Sequence, residues 1–196
     1  MKIFPLIKKK NGVVNHTSKS TAEENISVYG LAKCWKTCLT RDDYAPCRTC
    51  LHSATLELYK RCSVNKGTVI WMAYCLLKYS DSNFFGKIDT DNGIYDTNRN
   101  FFDNPPLIQN KVDELFNALI ANIVLGPSYA HGARKVINKT KILNMLECTQ
   151  DLSDADCKKC LHTTRRELLI HSYEKMGRRA IYGSCYIRFK IYAYYA

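Results

Sequence analysis

The chain has 196 residues, an apolar fraction of 46% and a formal net charge of +11, which fits one large folded domain or two small ones. Thirteen Tyr and seven Phe argue against disorder. No apolar run is long enough to cross a bilayer as a helix, because the best stretch, "LFNALIANIVLG", is short and interrupted by Asn117 and Asn122.

The positive charge is scattered over both halves, in pairs such as Lys158-Lys159, Arg165-Arg166 and Arg178-Arg179, with no Arg-rich tail. Such a surface suits an anionic cell-wall polysaccharide or membrane surface. Nucleic acid is not an expected partner, and a merely solvated basic surface accounts for the charge equally well. Ten cysteines are many for a cytosolic protein, and the even number suits full oxidation. Oxidised cysteines imply an extracellular setting, since cytosolic thiols are kept reduced.

In chain order, "MKIFPLIKKK" opens the sequence. Its apolar core of about five residues is below the length of a secretory signal, and its charges follow the apolar stretch instead of preceding it. A secreted protein would therefore carry its signal ahead of Met1. Sequons at Asn15, Asn25 and Asn138 are candidate glycosylation sites and agree with secretion. The next readable element is "DDYAPCRTCLHSATLELYKRC", a predicted helix with Leu51, Ala54 and Leu58 on one face. Gly67 breaks it, and "TVIWMAYCLLKYS" reads as one or two strands. The Asn-, Asp- and Gly-rich stretch "SDSNFFGKIDTDNGIYDTNRNFFDNPP" reads as a linker or hairpin region. An amphipathic helix follows, with a stripe of Ile108, Val112, Leu115, Phe116, Leu119 and Ile123 that is expected to pack on a core. A second helix around "ADCKKCLHTTRRELLIH" and a final alternating strand complete the chain. Ile187, Phe189 and Ile191 lie on one face of that strand, and Arg188 and Lys190 on the other.

The two halves repeat. Sliding the chain by 110 positions places Cys38, Cys47, Cys50 and Cys75 on Cys148, Cys157, Cys160 and Cys185 without a gap, and His52 on His162. The chain is a tandem duplication, with expected domains at 1–85 and 86–196. The helix equivalent to the one after Pro105-Pro106 would start before Met1. Cys34 and Cys62 fall outside this register.

Each half carries the cysteine spacing C-x8-C-x2-C, as in "CTQDLSDADCKKC". Three chemistries use such a spacing. A zinc site would need four ligands around one ion, but the two C-x2-C pairs sit in separate repeats and each repeat has a further cysteine left over. A redox C-x-x-C usually follows a strand in a βαβ unit, and here an upstream cysteine competes for the same sulfurs. Disulfides use every cysteine of the second repeat, and four cysteines allow three connectivities. No metal or other cofactor is expected. Nor is an enzyme: there is no nucleophile elbow, P-loop or dinucleotide fingerprint. His52 and His162, on helices beside cysteines, are read as structural.

"VYGLAKC", C-x8-C-x2-C, "CLLKYSDSNFF", "ECTQDLSDADCKKCL" and "GSCYIRFKIYAYY" together resemble the plant cysteine-rich DUF26 domain, also called the stress-antifungal or Gnk2-homologous domain, over nearly the whole chain. The resemblance implies an α+β fold of two tandem, disulfide-stapled domains, each an antiparallel sheet with two helices on one face. The first domain would lack its first strand and most of its first helix. It implies the bonds Cys38–Cys47, Cys50–Cys75, Cys148–Cys157 and Cys160–Cys185. In the family "YGLA-x-C" is itself the first cysteine of the motif, so one of Cys34 and Cys38 is surplus. That surplus cysteine is expected to pair with Cys62.

The resemblance further implies a non-enzymatic apoplastic protein of stress or defence recognition, with a carbohydrate or an extracellular protein as partner. The alternatives are the ectodomain fragment of a cysteine-rich receptor-like kinase or plasmodesmata-located protein, and a degenerate copy without a ligand. A mannose-binding member of the family uses an Asn after its first-strand cysteine, an Arg six residues before the final cysteine of the domain and a Glu five residues after it. Repeat one has Val69 and Ser80 at the last two positions, and repeat two has Arg179 and Lys190. Arg179 is the one matching ligand-binding candidate. Lys190 reverses the charge and removes an acceptor for sugar hydroxyls, which argues against mannose.

Overall fold

The computed structural model describes residues 13–19, 27–36, 45–62, 64–101, 105–123, 128–136, 140–170 and 175–193. Internal contacts divide the chain into two units, Met1–Phe85 and Gly86–Ala196.

In the first unit, β1 (Val13–Lys19) and β2 (Ser27–Cys34) precede helix α1 (Ala45–Cys62), then β3 (Gly67–Trp71) and β4 (Cys75–Ser80). The sheet order is β1-β2-β4-β3, antiparallel throughout. Cys47, Leu51, Ala54 and Leu58 recur at helical spacing and are buried. With Cys50 they pack on Ala32, Cys34, Cys75 and Leu77 of the sheet. Lys60 and Arg61 close the helix, where a cation complements the dipole. The Tyr79 hydroxyl shares its proton between the carbonyls of Cys62 and Asn65, at 2.9 and 2.8 Å, and so holds the turn after α1 against β4.

The second unit comprises β5 (Gly93–Thr97), α2 (Pro105–Ala121), β6 (Tyr129–Lys135), β7 (Thr140–Cys148), α3 (Asp154–Ile170), β8 (Gly177–Tyr182) and β9 (Cys185–Ala193). Its antiparallel sheet runs β5-β8-β9-β7-β6. One face carries Ile142, Leu146, Ala180, Tyr182, Ile187, Phe189 and Ile191, which pack with Ile108, Val112, Phe116 and Ile120 of α2 and Leu161 and Leu168 of α3. Period-2 alternation and the two helical stripes therefore meet in one core. Ile120 is fully buried beside the expected stripe, whereas Leu119 is only partly buried. Asn144, fully buried in β7, donates through Nδ2 to the Val112 carbonyl at 2.8 Å and ties the sheet to α2. Ser153 caps α3: its Oγ accepts from the Asp156 amide at 3.1 Å and donates to the Asp156 carboxylate at 2.6 Å. Asp154 and Asp156 suit the positive end of that helix.

The two units differ as the α+β expectation requires. Among the described residues, the first unit has four strands and one helix, while the second has five strands and two helices on one face. Two segments depart from the sequence reading. The stretch read as linker or hairpin contains β5, whose five residues are all exposed. The segment ahead of "VYGLAKC" forms a strand of its own, β1, which pairs with β2 from Val13↔Lys33 to Lys19↔Ser27.

The disulfides correct the repeat register. The structure bonds Cys34 to Cys47, not Cys38 to Cys47, alongside Cys50–Cys75, Cys148–Cys157 and Cys160–Cys185. The reason is position on the sheet. Cys34 ends β2 opposite Cys75, as Cys148 ends β7 opposite Cys185. In both units the strand-end cysteine reaches the first turn of the next helix with the same Cα–Cα separation, 5.7 Å. The two partners are 13 residues apart in the first unit and 9 in the second, so the ungapped overlay hides a four-residue insertion. Cys38 falls in that insertion, outside the described residues. Cys62 carries a free thiol, so the bond expected between it and the surplus cysteine is not formed. Non-reducing peptide mapping after alkylation is expected to link the Cys34 and Cys47 peptides and to find Cys62 alkylated. A Cys38–Cys47 link would overturn this assignment.

Candidate functional site

The β8–β9 hairpin turns at Gly183-Ser184, and its register sets Arg179 opposite Arg188 and Gly177 opposite Lys190. All four lie on the sheet face opposite the core, because they alternate with the buried Ala180, Ile187 and Phe189. On the other side of β8, β5 places Asp96 directly beside Arg179. The Asn98 amide donates to the Gly177 carbonyl at 2.8 Å and extends this pairing past the strand end.

These elements frame a cleft of about 330 Å³ lined by Asp96, Thr97, Asn98, Gly177, Arg178, Arg179, Arg188 and Lys190. Gly177 has no side chain to occupy its floor, and an added Cβ there would lie 3.2 Å from the Phe189 carbonyl oxygen.

Arg179 donates from Nε and Nη2 to one oxygen of Asp96, at 3.0 and 2.9 Å. Arg188 and Lys190 have no carboxylate partner among the described residues. The Lys190 ammonium instead lies over the Tyr192 ring, 4.5 Å from its centroid. Arg178 alternates to the core side, where its guanidinium is 5.6 Å from the Tyr95 ring. Its Nε and Nη1 are buried without a hydrogen-bond partner, and this burial lowers its pKa. Tyr182, next along that face, is hydrogen-bonded to the Tyr95 hydroxyl. Burial first, and then that bond, raise its pKa, so it stays neutral through the physiological range.

On the cleft face three cations, Arg179, Arg188 and Lys190, against the Asp96 carboxylate give a net charge of +2. Two arginines face each other across adjacent strands, an arrangement that is unfavourable unless an anion lies between or beside them. Chemically the cleft offers guanidinium and ammonium donors for an anion, with the Asp96 carboxylate and the Asn98 side chain as acceptors for hydroxyl groups.

The structure thus brings Arg179 and Lys190 into one cleft. Sequence reading passed over Asp96, Asn98 and Arg188. The alternation of "CYIRFKIYAYY" already put Arg188 beside Lys190 on one face, whereas nothing in the sequence marked β5 as the neighbour of β8. The other candidates are placed without forming a site. Val69 and Ser80 lie on β3 and β4 of the first unit, and Asn15 lies in β1. Asn25 and Asn138 are outside the described residues. Cys47, Cys50, Cys157 and Cys160 are all in disulfides and supply no thiolate to a metal.

Comparison with known proteins supplies the context. The family model described as "Salt stress response/antifungal" matches twice, over residues 4–82 and 90–192. The chain is 38% identical over 178 residues to an antimicrobial ginkbilobin-2-like protein of Castanea crenata, covering 89% of this chain and 71% of that one. It is 33% identical to cysteine-rich repeat secretory protein 38 of Arabidopsis thaliana, covering 98% and 75% of the two chains. The fold matches the tandem DUF26 ectodomain of the Arabidopsis thaliana cysteine-rich receptor-like protein PDLP5, with a TM-score of 0.70 at 23% identity, over 92% of this chain and 82% of that one. It matches the PDLP8 ectodomain with a TM-score of 0.71 at 19% identity, over 93% and 81%. Two matches in series, each spanning one of the two units, make this chain a tandem member of the salt stress response/antifungal family, the DUF26 domains of cysteine-rich repeat secretory proteins.

Proposed function

We propose that this chain is a non-enzymatic extracellular recognition protein of plant stress or defence that binds carbohydrate in the β5–β8–β9 cleft of its second unit. One observation carries the reading: the cleft joins Arg179, Arg188 and Lys190 to the acceptors Asp96 and Asn98, with no apolar side chain in its lining. A polyhydroxylated ligand needs donors and acceptors at close range, whereas a protein interface would bring aromatic or aliphatic anchors to its centre. Relatives named as secretory proteins support the extracellular setting, as do the disulfides.

A glycan array probed with the oxidised protein tests this. Binding to at least one saccharide class is expected, and Arg179→Ala is expected to weaken it by about tenfold or more, the loss of one charge-assisted contact. Absence of binding to any saccharide, or binding untouched by Arg179→Ala, would remove the cleft as the site.

A further inference from the structure

We infer that the saccharide taken by this cleft is a uronic-acid sugar, whose carboxylate is received by Arg188 and Lys190. The inference rests on the carbohydrate reading above and adds the ligand's charge. Arg179 already has its carboxylate in Asp96. Arg188 and Lys190 have none among the described residues, although they project from the same face of β9. The repulsion between Arg179 and its cross-strand neighbour Arg188 is relieved by an anion at Arg188. A guanidinium matches a carboxylate through two parallel N–H···O bonds, and Lys190 adds a point charge beside it.

The same lining argues against other anions. Asp96 and Asn98 line the same cleft. These acceptors suit the hydroxyls of a sugar ring, and the Asp96 carboxylate would repel the extra charges of a phosphate or of a polyanion without hydroxyls. The volume of about 330 Å³ lies at the low end for small-molecule sites, which suits a short stretch of saccharide.

Isothermal titration calorimetry with three probes tests the inference: the trimer of α-1,4-linked galacturonic acid, its fully methyl-esterified form, and a neutral mannose trimer. The acid trimer is expected to bind, the ester and the mannose trimer at least about tenfold more weakly, and raised salt to weaken the acid form alone. Arg188→Gln and Lys190→Gln are each expected to reduce affinity for the acid trimer by about tenfold, while Asp96→Asn raises it by freeing Arg179. Unchanged melting temperatures and disulfide maps establish that the variants fold.

If the ester binds as well as the acid, this inference fails and the carbohydrate reading stands. If a short poly-glutamate binds as well as the acid trimer, charge alone is recognised and the inference is overturned. If neither the trimers nor any arrayed saccharide binds, both readings fall. Binding kept by the Arg188→Gln/Lys190→Gln double variant would place the ligand elsewhere.

Discussion

Replacing Cys160 and Cys185 together by alanine is expected to destabilise the second unit by about 3.5 kcal/mol, the chain-entropy value for a closed loop of this size. The bond spans 25 residues and joins the first half of α3 to the start of β9. Both cysteines are fully buried in the main core cluster. The Thr164 hydroxyl, also fully buried, lies 3.1 Å from Cys185 Sγ and donates to the Cys160 carbonyl at 2.9 Å. Removing both sulfurs leaves no unpaired thiol, so the loss reads the cross-link and a small cavity. The measurement is urea denaturation followed by far-UV circular dichroism. Both tryptophans, Trp35 and Trp71, lie in the first unit, so their fluorescence provides a reference for that unit in the same experiment. A loss below about 1 kcal/mol would show that the cross-link adds little to the packing around it.

Phe116→Ala is expected to cost the same unit about 3–5 kcal/mol, the range for truncating a buried aromatic ring. Phe116 is fully buried on α2, within the cluster that includes Ile142, Ile191 and Leu168. The ring's apolar area accounts for part of the loss, and the cavity it leaves for the rest. Leu119→Ala, one helical turn further along and only partly buried, is expected to cost clearly less. Equal losses at the two positions would mean that the core closes over the missing ring. Neither substitution touches the cleft, so saccharide binding by the folded fraction should be unchanged.

Much of this fold can be read along the chain because its signals are local. The stripe of α2, the Leu51–Ala54–Leu58 face of α1 and the alternation of β9 each follow from the period of a single element. β5 could not be read this way. "GIYDT" has two apolar residues and no buried position, and it is a strand only because β8 offers it a ladder of backbone partners from Gly93↔Tyr182 to Thr97↔Arg178. β6, "YAHGARK", is similar: one edge strand held by β7, with Gly132 giving room to Leu115 and Leu119 of α2.

The sequence by itself determined that the chain is a duplication, that both copies use the same cysteine frame, and that each copy combines helix with strand. Those conclusions need only spacing and periodicity, which are properties of order along the chain. The tertiary structure decided which cysteine bonds to Cys47, since a disulfide answers to distance. Cys34 stands at the sheet end, where the first turn of α1 lies 5.7 Å away, whereas the ungapped overlay matches residues by number alone. It also decided the cleft. Asp96 and Arg179 are 83 residues apart in sequence and meet because two strands share a register, which composition cannot encode.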